Sequence, residues 1–221
     1  VTTLLAHADD LLHGGPLTTR PTRPRRLLAT LVAIVVIFGL VYGGVMGSFG
    51  GVGHGRQPLY SAVKVPLLLG VTFGLSLPSF FVLNRLLGVG ADFAVVLRGL
   101  VATQAALTVV LASLAPLTAL WYASFADYDA ALAANMVAFT VASASAQTLL
   151  RRWYRPLVAR DPRHRMLFRT WLFIYAFVGI QMGWTLRPFI GSPGQPTRFL
   201  RQHAWGNAYV EVSEILGRVV R

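Results

Sequence analysis

The chain contains no cysteine. That excludes a disulfide framework, a thiolate nucleophile, an iron–sulfur site and a lipidated thiol together. Acidic residues are also scarce, eight in 221, and none lies in the core of an apolar run. A proton-coupled pump or a sodium site built on intramembrane carboxylates therefore finds no support. The five histidines (His7, His13, His54, His164, His203) are scattered, and no two stand at i,i+4 on an apolar run, so a zinc or haem site has no basis. No P-loop, HExxH motif or nucleophile elbow occurs. The glycines of Gly50-Gly51-Val52-Gly53 follow an apolar run and not a strand, the wrong context for a phosphate cradle. Glu211 and Glu214, three apart on a helical pattern, read as a solvated face. A non-enzymatic protein without metal or cofactor is the expectation.

Charge of either sign is thin, 13% of residues against 55% hydrophobic, where soluble domains carry about a quarter. Residues 27–55 include no acidic or basic residue besides His54, and 99–126 include none at all. Uncharged apolar runs of ~18 residues or more are membrane spans. Five apolar stretches occur, at roughly 27–47, 59–83, 93–121, 130–150 and 168–190, each able to cover about 30 Å of hydrocarbon at 1.5 Å per residue. The expected fold is an all-α, polytopic integral membrane helix bundle. Three regions follow: 1–26, an amphipathic and basic tail; 27–190, a five-helix transmembrane domain; and 191–221, a second tail.

What charge there is has one sign. Nineteen arginines and one lysine, Lys64, give a net charge of +12. In a soluble chain this would suggest nucleic acid. Here the arginines gather at the ends of apolar runs, where they set orientation and meet anionic headgroups, so nucleic acid is not an expected partner. Thirteen of the twenty cations fall on one side of the five-span arrangement, including Arg20, Arg23, Arg25 and Arg26 and the seven arginines of 151–169. Seven fall on the other, and the 121–129 connection there has two aspartates and no base. The positive-inside rule then places the N-terminus inside and the C-terminus outside. Arginine over lysine, with much alanine, points to a GC-rich bacterial genome and hence to a bacterial inner membrane.

Both tails carry amphipathic patterns. Leu4, Ala8, Leu11 and Leu12 share a helical face, Asp9, Asp10 and His13 lie off it, and Gly14-Gly15 is a stop signal. The first apolar run is too long for a signal peptide and lacks a small-x-small cleavage site, so it reads as an anchor. In the second tail, Trp205, Tyr209, Val212, Leu216 and Val219 recur at helical spacing beyond a turn-rich break at 191–196. Glu214 and Arg218 form a possible i,i+4 pair on its other face. This stripe suits the membrane interface or a partner helix.

Within the spans the main pattern is small residues. Gly39, Gly43 and Gly47 form a double GxxxG, Gly70 and Gly74 another, and Ala130, Ala134, Ala138, Ala142 and Ala146 a stripe at i,i+4. Lipid provides no hydrophobic drive between helices, so close backbone approach must hold them. These ridges predict tight packing within the chain, with homo-oligomerisation through the first span as the sharper reading. Prolines interrupt the second and third spans at Pro66, Pro78 and Pro116, as kinks or as the broken helices of a transport site. Lys64, two residues before Pro66, either snorkels to the headgroups or is buried for a role. Gln104, Asn135, Gln147 and Gln181 bond neighbouring helices or line a polar path.

Two stretches, Ser61-Ala-Val-Lys-Val-Pro-Leu-Leu-Leu69 running on to Leu77-Pro-Ser-Phe-Phe-Val-Leu-Asn84, and Ile174 through Pro193 with its Gln-Met-Gly-Trp-Thr-Leu-Arg-Pro core, resemble a family of uncharacterised bacterial polytopic membrane proteins. A looser resemblance is to Yip-type five-helix membrane proteins, trafficking adaptors that interact with small GTPases. The stretch before the first apolar run is short beside theirs, so no GTPase partnership is carried over. The first resemblance directs attention to Lys64, Pro66, Gln181, Trp184, Arg187 and Pro188. Lys64, Arg187, Gln181 and Trp184 are the candidate residues for binding lipid or a partner.

The leading expectation is an integral membrane scaffold, an accessory or assembly subunit that binds membrane lipids and other membrane proteins or further copies of itself. The alternative is a small transporter or channel with its site at the proline-broken second span around Lys64. A membrane enzyme acting on lipid would have only Asp161 and His164 of the arginine-rich connection as acid or base.

Overall fold

Without water to satisfy them, the backbone polar groups of an apolar run must bond within the run, which makes it a helix. The computed structural model describes residues 2–12, 24–49, 55–191 and 197–200. Six α-helices lie among them: α1 Thr2–Leu12, α2 Pro24–Gly47, α3 Gln57–Leu86, α4 Phe93–Ser124, α5 Tyr128–Arg160 and α6 Arg163–Thr185, with a 3-10 turn Gly90–Asp92 leading into α4. Among the described residues there is no strand. Helices α2 to α6 are each long and apolar enough to cross a membrane. The protein is an all-α bundle of integral membrane character.

Four of the expected spans are longer as helices. The second begins at Gln57, a residue expected in the glycine-rich loop, because Pro58 in the first turn brings no donor that the helix needs. The fourth continues past 150 to Arg160 through Pro156, and α6 begins only two residues later. The arginine-rich stretch 151–169 is therefore two helix ends and a tight corner, not a loop. Asp161 shapes that corner by accepting from the Arg163 amide at 2.9 Å. Asp127 caps α5 in the same manner, accepting from the Ala130 amide at 2.7 Å. The fifth span is shorter at its far end. α6 stops at Thr185, and 186–191 leaves the helix through a cis Arg187–Pro188 peptide.

The helices alternate in direction, so their arginine-bearing termini gather at one end. There Arg163 donates to the Leu87 carbonyl at 3.2 Å, and Arg160 stands 3.8 Å from Asp92. α4 is the central helix: 67% of its most apolar stretch is buried, against 11% for α6. α2 packs on α3 and α4, α5 on α4, and α6 chiefly on α3. Helix α1 lies across the bundle with Leu11 fully buried beside Leu27 and Leu31. The second-tail helix expected over 205–219 lies outside the described residues, as does the collar of Arg20 and Arg23.

Glycine sets the α2–α3 contact. A Cβ at Gly43 would run into the Ser61 carbonyl and come within 2.8 Å of the Ala62 Cα; one at Gly47 would stand 2.7 Å from the Ser61 Cβ; one at Gly39 would stand 3.3 Å from the Pro66 ring. The first-span ridge is thus occupied by α3 of the same chain. Gly70 and Gly74 differ, since a Cβ at either meets nothing within 4 Å. Among the described residues they make no close helix contact. The alanine stripe also departs from its pattern: the buried line on α5 runs Ala131, Asn135, Ala138, Ala142, Ala146. A strict i,i+4 row drifts around a helix of 3.6 residues per turn, so Ala130 and Ala134 rotate off the contact.

Candidate functional site

Ser61 and Lys64 lie one turn apart on the face of α3 that also carries Gln57, and the whole row is buried. Lys64 has no exposed surface and does not snorkel. Its ammonium Nζ donates to the Pro188 carbonyl at 2.6 Å and lies 5.0 Å from the Phe199 ring centroid and 5.9 Å from that of Phe189. Ser61 Oγ donates to the Phe189 carbonyl. Gln57 Nε2 donates to the Pro188 and Phe189 carbonyls at 3.3 and 3.2 Å, and to Ser61 Oγ at 3.2 Å. The row is a clasp: three polar side chains of α3 grip the backbone of the segment that follows α6. A buried ammonium needs hydrogen-bond acceptors and a polarisable wall to offset its lost hydration, and the carbonyl and two aromatic faces provide them.

The clasp assembles two of the expected site regions. The guanidinium of Arg187 stacks over Trp184, its Cζ 3.2 Å from the ring centroid. Both side chains are partly buried, at the turn that delivers Pro188 to Lys64. Gln181 is one turn back on α6, where its backbone carbonyl accepts from Thr185 Oγ1 at 2.9 Å. Lys64 thus bonds the carbonyl of the residue that follows Arg187, which brings the two expected site regions together. Gln57, Phe189 and Phe199 were missed by sequence reasoning. The available signal was the Gln57, Ser61, Lys64 spacing of four and three, facing the same side as the glycine-contacted Ser61.

Two other intramembrane amides, Asn135 and Gln104, are also committed, whereas Gln147 Oε1 and both polar side-chain atoms of Asn84 are buried without a hydrogen-bond partner among the described residues. Asn135 Oδ1 accepts from Tyr42 at 3.0 Å, and its Nδ2 donates to Tyr122 Oη at 2.6 Å and to the Ala131 carbonyl at 2.7 Å. Tyr122 in turn donates to the Met46 carbonyl at 3.2 Å. One amide thereby ties α2, α4 and α5. Gln104 Oε1 accepts from the Tyr175 hydroxyl at 2.8 Å and ties α4 to α6.

At the basic end the possible acid and base of a lipid enzyme have structural partners. Asp161 shapes the α5–α6 corner, and buried His164 places Nε2 3.2 Å from Asp92 Oδ2. Asp92 precedes a span by one residue and nothing in its local pattern announces this pairing. Among the described residues, no group of three or more His, Cys, Asp or Glu side chains is arranged to hold a metal ion.

No protein-family model, curated protein or solved structure matches the chain.

Proposed function

We propose that the chain is a non-enzymatic membrane scaffold, an accessory or assembly subunit of a bacterial inner membrane that binds lipid and other membrane proteins, with its arginine-rich end inside. The observation that carries this reading is the commitment of three intramembrane polar side chains. Lys64, Gln104 and Asn135, three of the groups a transport path through spans two to four would use, form bonds that join one part of the chain to another. Transport sites instead present such groups to a cavity. The proline break beside Lys64 belongs to a packed contact, with Pro66 lying against Gly39. Weakly embedded α6 supports the same reading. It exposes Phe173 and Phe177 on one flank, with Met136 and Val137 exposed on neighbouring α5, a wide apolar and aromatic surface for lipid or for a partner's helices.

Photo-crosslinking amino acids at Met136, Val137, Phe173 and Phe177, activated in intact native membranes, test this. Discrete protein adducts from these positions, absent from Ala112 and other α4 controls, are the expected result. Adducts to lipid alone from all four would overturn a protein-binding role for this flank.

A further inference from the structure

At the basic end, α2 and α5 both lie on α4 and leave a groove of about 310 Å³ between them. Its walls are Leu11 of α1, Leu27 and Leu31 of α2, and Trp153 of α5, with Gly99 and Ala102 of α4 among the lining. Gly99 keeps the floor low, since a Cβ there would stand 3.4 Å from the Trp153 ring. Among the described residues, two cations, Arg98 and Arg152, also line the groove, and no carboxylate does.

We infer that this groove holds an anionic phospholipid of the leaflet at the basic end, its phosphate between Arg98 and Arg152 and the start of an acyl chain along Leu27, Leu31 and Trp153. The two arginines are available for it. Arg98 uses its Nε on the Ala94 carbonyl of its own helix at 3.2 Å, which lays the side chain back toward the headgroups. Both arginines are exposed, and neither is paired with an acid among the described residues. Depth agrees as well. Arg152 is 24 residues along α5 from Tyr128, roughly 36 Å at 1.5 Å per residue, and so beyond a hydrocarbon layer of about 30 Å. The volume is at the lower end of small-ligand sites, roughly 300–1,000 Å³, enough for the glycerol region and first chain segment while the rest of the lipid stays in the leaflet.

This inference rests on the scaffold reading in giving its lipid a class and a place. The test is native mass spectrometry of the full chain from nanodiscs containing equal phosphatidylglycerol and phosphatidylcholine of matched acyl chains. One phosphatidylglycerol should be retained in preference to phosphatidylcholine. The R98Q/R152Q variant should lose that preference by about 25-fold, roughly fivefold per arginine. V95W, which adds bulk to an exposed groove residue without changing charge, should lose retention too. R165Q/R169Q, with the same change in charge outside the groove, should keep it. Equal retention of the two lipids by the unmodified chain would overturn the assignment, as would an equal loss in R165Q/R169Q. A chain that shows no lipid preference yet carries a stoichiometric protein partner would overturn the groove and leave the scaffold standing.

Discussion

The two GxxxG ridges should respond to alanine with opposite signs. At Gly43 a methyl group would strike backbone: the Ser61 carbonyl, with the Ser61 carbonyl carbon at 2.9 Å and the Ala62 Cα at 2.8 Å. No rotamer change relieves a backbone overlap, so α2 and α3 must separate. Overpacking of this kind costs about 1–3 kcal/mol, and the absence of any flexible neighbour places Gly43 at the upper end. Alanine returns roughly 0.5–1 kcal/mol of helix propensity, leaving a net loss of about 2 kcal/mol for Gly43→Ala. At Gly74 the new methyl meets nothing within 4 Å, and only the propensity gain remains. Gly74→Ala should therefore stabilise by roughly 0.5–1 kcal/mol. Reversible unfolding in mixed micelles of mild detergent and dodecyl sulfate measures both. A neutral Gly43→Ala, or a Gly74→Ala as damaging as Gly43→Ala, would refute the assignment of α2–α3 packing to the first ridge.

Lys64→Met keeps side-chain length but removes the charge; the lost charged hydrogen bond, about 1.5–3 kcal/mol, is offset by the desolvation no longer incurred. It should stay within about 1 kcal/mol of the parent in the same titration, whereas Lys64→Ala should lose about 2–4 kcal/mol through the void left under Phe189 and Phe199. Equal damage from both would mean that charge, not packing, holds the clasp. Asn135→Leu should cost about 1–2 kcal/mol by removing the acceptor of the Tyr42 hydroxyl, and Tyr42→Phe added to it should recover part of that loss, a coupling that a double-mutant cycle reads directly.

The spans were legible because charge is costly in hydrocarbon and its absence from 99–126 has one physical reading. Their ends were less so. Helices that carry polar residues past the headgroups, as α5 does from 151 to Arg160, outrun the hydropathy signal, and Pro156 within that stretch removes only one donor. The α2 ridge was legible as a ridge, but GxxxG names no partner, and Gly70 and Gly74 share the spelling without the contact. Lys64 was visible as the one lysine, placed within a span. Its environment was not, because the carbonyls and the Phe189 and Phe199 rings that satisfy it come from some 120 residues downstream in the chain, and the cis turn at Arg187–Pro188 that brings them back has no periodic signature. Backbone acceptors leave no trace in residue identity. Asp92 and His164 illustrate the same difficulty, since their pairing exists only once α5 and α6 have folded back on the start of α4.

The scaffold reading is tested most directly by extracting the full chain from its native membrane under gentle conditions, then sizing the particle and weighing its components by mass spectrometry. The account expects a particle larger than the chain and its detergent, with at least one other membrane protein present in fixed stoichiometry. A lone monomer that carries no protein and catalyses solute flux in proteoliposomes, with the flux abolished by Lys64→Met, would contradict it.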